Sequence, residues 1–390
     1  MKEQLSEYHE GLYQWIWETL EFDVQSLKTI CGEPISIIEP GERNPGAGPD
    51  FLRSKLKIGD LTWSGSVEIH KRAKHWNHHK HQKDPAFNNV VLHVVFDTPQ
   101  SEIFTEDGSK PFTVNLGPRL SSQLKSLFNR HKSGELPCGR HISFINQDAF
   151  RHQILKVHKE YFNYKADALL KYYDPLLPPS KAWKKAFIVQ LYRALGIPRN
   201  RQAMGQLAQA VYSAKDLPTS SVNVERYVTS LAFDEKNAPQ IKWVNTGMRP
   251  ASRPPVRVKQ AAWLHAAAEA LPFSTFLKNG VFAWRQLIND LPKGNRPGRS
   301  RLSVIKFTVF LPAIYLLGDL FHADGIKQEA FECWQKGSQQ VPRKVSDPFK
   351  EAGFEVEKGL QVMGLAHQYK RYCRVKRCHK CNVFKYAIRS

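Results

Sequence analysis

The stretch GPDFLRSKLKIGDLTWSGSVEIH, residues 48–70, sets Asp50 ahead of one alternating segment and places Glu68 and His70 two apart at the end of the next. Two carboxylates brought together suit a divalent cation such as Mg2+ or Mn2+, with waters and a carbonyl completing its shell. Such an ion lowers the pKa of a bound water and opposes the negative charge that builds on a phosphate. An imidazole beside Glu68 can orient that water, accept its proton or join the ligands. Asp50, Glu68 and His70 are therefore the candidate catalytic residues, with Asp50 and Glu68 as the Mg2+ or Mn2+ ligands. His75, His78, His79, His81 and His93 crowd the following segment, together with Asp84. His79 and His81, two apart, cannot share one helix face but suit a turn. His79, His81, Asp84 and His93 are expected around the ion's ligands, holding them by hydrogen bonds. Asp84 or Asp50 is the expected partner of His93. Glu42, in the loop before Asp50, is a further acidic candidate of the same outer kind. The competing reading is a solvated polar face of a hairpin. Against it stand the Gly-rich approach to Pro49 and Asp50, the small polar neighbours and the apolar next strand.

A second chemistry-bearing group lies near the C-terminus. HQYKRYCRVKRCHKC, residues 367–381, spaces Cys373, Cys378 and Cys381 as C-x4-C-x2-C. The closer pair can clamp Zn2+ or an iron–sulfur cluster. Cys138 in ELPCGRHI is the first candidate for a fourth ligand, and His367 or His379 the next. Cys31 and Cys333 lack a paired spacing and read as buried thiols. Six Lys/Arg between 370 and 380 could meet a phosphate backbone.

The elements that must position these groups follow from periodicity. Leu12, Trp15, Ile16 and Leu20 recur at helical spacing. ISII, residues 35–38, reads as a short strand, and EPGERNPGAGPD as a loop. FLRSKLKI alternates with Leu52, Leu56 and Ile58 on one side, and GD at 59–60 turns it into a hairpin. In the second strand Leu61, Trp63, Val67 and Ile69 oppose Thr62, Ser64, Ser66, Glu68 and His70, so Glu68 and His70 share a face and Lys71 takes the other. A polar segment, 71–89, carries a short helix, with Trp76 and Phe87 expected in the core. NVVLHVVF is a continuous apolar run, expected as a central strand buried on both faces. This is an α/β N-terminal module over residues 1–116. A linker, 117–150, leads to a larger all-α domain over 151–390. From about residue 120 onward the periodicity is helical, in QLKSLFNRH within the linker and then in KAWKKAFIVQLYRALG, VKQAAWLHAAAEAL and LSVIKFTVFLPAIYLLGDLF, the last expected to kink at Pro312.

The chain of 390 residues carries a net charge of +21, unevenly spread. Residues 1–115 hold 12 Lys/Arg against 17 Asp/Glu, or −5, and the remainder carries +26. The basic part is expected to face a polyanion, DNA or RNA. No apolar run approaches the length of a membrane span, and the N-terminus lacks the pattern of a signal peptide, so a cytoplasmic protein without a membrane partner is expected.

Pro49–Asp50 followed by Glu68-Ile69-His70 resembles the PD-(D/E)XK motif of the restriction-endonuclease-like nuclease superfamily. That resemblance, over about residues 8–116, implies an αβββαβ core and metal-dependent phosphodiester hydrolysis. His70 stands where that motif usually has Lys. GAGPDF, GSVEIHKRAKHWNHHKHQKDPAFNNVVLHVV, GMRP and YCRVKRCHKC together resemble an uncharacterised bacterial domain-of-unknown-function family over nearly the whole chain, which implies no activity. The expected function is a metal-dependent nuclease. The alternatives are a nucleic-acid-binding protein with a degenerate, inactive site and a hydrolase of another phosphate-containing substrate, such as a nucleotide.

Overall fold

The computed structural model describes residues 8–99, 101–125, 136, 138, 146–213, 218–234, 241–337, 341–356 and 362–389. Most of the expected helix 123–131 lies outside them. The chain divides into two compact units: residues 1–157 with 341–360 and 365–390, and residues 158–340 with 361–364.

In the first unit α1 (Glu10–Glu18) precedes a mixed sheet. The strands are β1 (Leu27–Lys28), β2 (Pro34–Glu39), β3 (Glu42–Arg43), β4 (Phe51–Ile58), β5 (Leu61–His70), β6 (Val90–Val95) and β7 (Phe112–Asn115). They lie in the order β1-β2-β4-β5-β6-β7, and β3 pairs with the start of β4. The β2–β4 and β4–β5 pairs are antiparallel, whereas β5–β6 and β6–β7 are parallel. A parallel step needs a crossover, and residues 71–89 supply it with α2 (His75–His78) and two 3-10 turns.

The apolar run at 90–95 is the central strand its composition predicts: Leu92, Val94 and Val95 are fully buried. β7 is a strand that the periodicity did not announce. β4 is not a simple alternating strand. A bulge between Phe51 and Ser54, with Arg53 in the left-handed region at φ 57°, buries Phe51 and Ser54 on the face of Leu56 and Ile58. Bulges of this kind re-aim side chains beside functional sites. β5 changes character along its length. Leu61 and Trp63 at the hairpin tip are exposed, while Ser66 to His70 are buried on both faces.

The core of this unit joins Leu12, Tyr13, Ile16 and Trp17 of α1 to Phe51, Val67, Ile69 and Leu92 of the sheet. It also takes in Phe349, Phe354, Leu365 and Phe384. The units thus do not follow the expected split at 116 and 151. Residues 341–356 and 365–389 pack with the N-terminal module, because their aromatic side chains complete its core.

The second unit is helical. Trp183, Phe187, Phe276, Phe310, Ile314 and Trp334 form part of its core. Pro254 and Pro255 open the helix Pro254–Ala270, as free N–H groups at a helix start allow. Against the expectation that no run is long enough, the segment Arg299–Leu320 is long and apolar enough, by length and composition, to cross a membrane; 61% of its apolar window is buried within the protein. A π-helical turn, Lys306–Phe310, precedes Pro312 and takes up the backbone disruption expected there.

Candidate metal and active centre

Antiparallel pairing of Phe51 with Val67 brings Asp50, just before β4, opposite Glu68 on β5. The Asp50 backbone N–H donates to Glu68 Oε2 at 3.0 Å. In return Asp50 Oδ2 accepts from the Ile69 N–H at 3.1 Å. Asp50 Oδ1 accepts from Gln14 Nε2 of α1 at 2.5 Å, and Arg43 donates to the same Gln14 amide. The approach loop is fixed as well. Asn44 N–H donates to the Asp50 carbonyl at 2.8 Å, its Nδ2 bonds the Ala47 and Pro49 carbonyls, and Gly48 takes φ +98°.

Glu68 Oε1 faces imidazoles. His70 Nε2 lies 3.4 Å from it and His81 Nε2 3.3 Å. His70 Nε2 is also 3.2 Å from His79 Nδ1. The short helix α2 ends at His79, Lys80 turns the chain at φ 65°, and His81 opens a 3-10 turn. That single left-handed residue lets both histidines face one centre. Among the described residues, the ligand nitrogens of His70, His79 and His81 lie within 4.8 Å of one another. Behind them His93 Nε2 meets His70 Nδ1 at 2.9 Å, in a parallel register that sets Glu68 beside His93. With the proton on His70 Nδ1, its Nε2 lone pair faces the centre. Trp76 forms an apolar wall 5.3 Å, centroid to centroid, from His93.

Burial, then the Glu68 and Glu10 charges, push the Asp50 carboxyl up to about 8 against the Ile69 N–H and Gln14 bonds. Burial likewise pushes Glu68 up to about 8, against the Asp50 N–H. Burial, reinforced by four neighbouring histidines, drives His70 far down. His93 falls to about 3, chiefly by burial, and His75, His79 and His81 are lowered first by burial. The imidazoles are thus neutral at pH 7 and offer lone pairs, while the carboxyls lack a counter-charge. Among the described residues the buried His81 Nε2 makes no well-aligned hydrogen bond, although Glu68 Oε1 lies 3.3 Å away. This donor set fits a divalent cation.

The structure therefore gathers Asp50, Glu68, His70, His79, His81 and His93. It corrects other expectations. Glu42 is exposed and ion-paired with Arg53 on the hairpin, since β3 turns it outward. Asp84 caps the 3-10 turn Pro85–Phe87 through the Ala86 N–H at 3.0 Å, and reaches the cluster only through its charge on His81. His93 takes His70 as its partner, not an aspartate. Lys71 lies over the Tyr13 ring at 6.0 Å. Glu10 and Gln14 were missed. Four residues apart, they share one face of α1 with Glu18, a polar stripe on an otherwise apolar helix, and that spacing was the available signal.

The cysteines sort into two groups. Cys138, Cys373, Cys378 and Cys381 line one apolar cavity in the first unit. His379 is turned toward α1, with its ring 5.7 Å from that of His9. Cys31 is exposed in the β1–β2 turn and Cys333 is half-buried, so neither is the buried thiol expected.

No curated protein and no solved structure matches this chain. A family model described as "Protein of unknown function (DUF2851)" matches residues 10–233, from the first residue of α1 through the whole sheet and the histidine cluster. The match covers more than half of the chain, which therefore belongs to the DUF2851 family.

Proposed function

We propose that this protein is a metal-dependent nuclease that hydrolyses phosphodiester bonds in DNA or RNA. The observation that carries the reading is the reciprocal bonding of Asp50 and Glu68 across two strands, with His70 and His81 nitrogens at the free oxygen of Glu68. In support, α1, the antiparallel strands β2, β4 and β5, the short helical turns and parallel β6 follow one another in the αβββαβ order of the nuclease superfamily, with β1, β3 and β7 in addition to it. Asp50 and Glu68 would hold the ion, with His70, His79 and His81 as nitrogen ligands. A bound divalent ion supplies a water of lowered pKa and charge to oppose the phosphate. His93 orients His70, and Gln14 and the Ile69 N–H orient Asp50. Neutral His70 cannot replace the fixed charge of the usual lysine. Exposed Lys74, Lys80 and Lys83, on the histidine-bearing segment, are suited to meet the polyanion. Three imidazoles beside two carboxylates favour a transition-metal ion such as Mn2+ over Mg2+.

The test is cleavage of plasmid, single-stranded DNA and RNA with Mn2+, beside Glu68→Ala. The reading expects polymer cleavage, its loss in the variant, and no product from free nucleotides. Retention of a nucleic-acid gel shift by both proteins, without cleavage by either, would instead indicate a binding protein with a degenerate site.

A further inference from the structure

We propose that Cys138, Cys373, Cys378 and Cys381 bind a four-iron four-sulfur (4Fe–4S) cluster that fastens the C-terminal segment onto the N-terminal module. All four are free thiols lining one cavity whose other walls include Phe150, Phe349 and Phe354. Each of the six pairs among them is close enough to interact electrostatically. None of the four sulfurs is bonded to another, so the cavity brings four soft thiolate donors to one place.

Spacing chooses between one ion and a cluster. A tetrahedral zinc with sulfurs at about 2.3 Å requires them about 3.8 Å apart. Among the described residues, the trio of ligand atoms within 4.8 Å of one another is histidine, and no three cysteine sulfurs form such a group. A cluster places its irons between the thiolates and so holds them farther apart.

The surrounding donors fit thiolates. Gln368 Nε2 points to Cys381 Sγ at 3.5 Å and Cys373 Sγ at 3.6 Å. That amide is held by Gln153 Nε2 at 2.9 Å, and Gln153 Oε1 by the Asn382 N–H at 3.0 Å. The Val383 and Phe384 N–H groups also bond Cys381. A π-helical turn, Tyr369–Cys373, widens the backbone between Gln368 and Cys373, as such turns commonly do at functional sites. Lys376 and Lys156 lie near Cys378 and Cys381 and offset negative charge there.

The test uses the full chain purified without oxygen. The expected result is a brown protein with about four irons and four acid-labile sulfides per chain, the stoichiometry of the cluster that four cysteines hold. Its visible absorption should bleach on reduction. Cys138→Ser should lose most of the iron, whereas Cys333→Ser should retain it. Should Cys138→Ser fail to fold, alkylation of the native chain decides. The four cysteines should be protected while Cys31 is labelled, and all should react once a chelator has stripped the iron. One zinc per chain without sulfide, or no metal after anaerobic reconstitution with Fe2+ and sulfide, would overturn the cluster. Protection limited to the three C-terminal cysteines would remove Cys138 from it. Iron content is read without any cleavage assay, so this result stands apart from the nuclease reading.

Discussion

Asp50 and Glu68 hold each other through backbone N–H groups: the Asp50 N–H binds the Glu68 carboxyl, and the Ile69 N–H beside Glu68 binds the Asp50 carboxyl. The acids are thereby fixed side by side, and neither can relieve the shared charge by moving away. In the metal-free chain both carboxyls sit near 8, against ordinary values near 4. Between those limits the folded state holds more protons than the unfolded state, so these groups make stability fall as pH rises. The depressed histidines act oppositely, but only below their ordinary value of 6.5. The Tm of the metal-free chain should therefore drop by several degrees between pH 6.5 and 8. Asp50→Asn should flatten that slope. A Tm that rises over this interval in the metal-free wild type would contradict the placement of the two acids.

His93 touches the centre only through His70. Loss of such a supporting bond typically weakens metal affinity about 10- to 100-fold. His93→Phe, which keeps bulk but removes the bond, should weaken Mn2+ binding by that factor in calorimetry. The same titration run in buffers of different ionisation enthalpy should show proton release on binding, from carboxyls that are partly protonated at pH 7. Unchanged affinity in the variant would mean that His70 is not a ligand.

Gly65 marks the point where β5 meets β6. A Cβ there would lie 2.7 Å from the Asn89 carbonyl oxygen and 2.5 Å from Val91 Cγ1. The backbone of residue 89 cannot yield easily, because its carbonyl also accepts the Ser66 N–H at 2.8 Å. Gly65→Ala should cost about 1–3 kcal/mol, as overpacking does, measurable by urea denaturation. Because Glu68 and His93 are set by the same strand register, metal affinity should fall as well.

Much of this was legible before any coordinates. The 2-residue alternation in 61–70 and the turn at 59–60 fix the hairpin, and parity alone puts Glu68 and His70 on one face. The spacing of His79 and His81 announced a turn. Periodicity could not reveal the bulge at Arg53, which depends on backbone torsion, nor that the polar half of β5 is buried, which depends on what packs above it. Glu10 and Gln14 are hidden in the sequence because, with Glu18, they form a polar stripe on an amphipathic helix that looks like its solvated face. The C-terminal segment was assigned to the helical domain because chain order was the available guide. Its place beside α1 arises from long-range aromatic packing that no local pattern records.

That packing yields the last prediction. Phe384 is 2% exposed, and its ring meets Trp15 of α1 edge-on at 6.2 Å. Lys385 adds a cation over the same indole, at 5.7 Å. Phe384→Ala leaves a cavity beneath α1 and should cost about 3 kcal/mol, at the lower end for a buried phenylalanine. Leu176→Ala, at a site 92% exposed, should change stability by less than about 0.5 kcal/mol. The loss at Phe384 should be felt first in α1, since that helix rests on the C-terminal segment on one side and on the sheet on the other. Amide exchange across Glu10–Glu18 should therefore accelerate in Phe384→Ala before exchange in β6 does, because α1 can detach without breaking the β5–β6 ladder. Equal acceleration in α1 and β6 would mean that the C-terminal segment supports the whole unit rather than this helix.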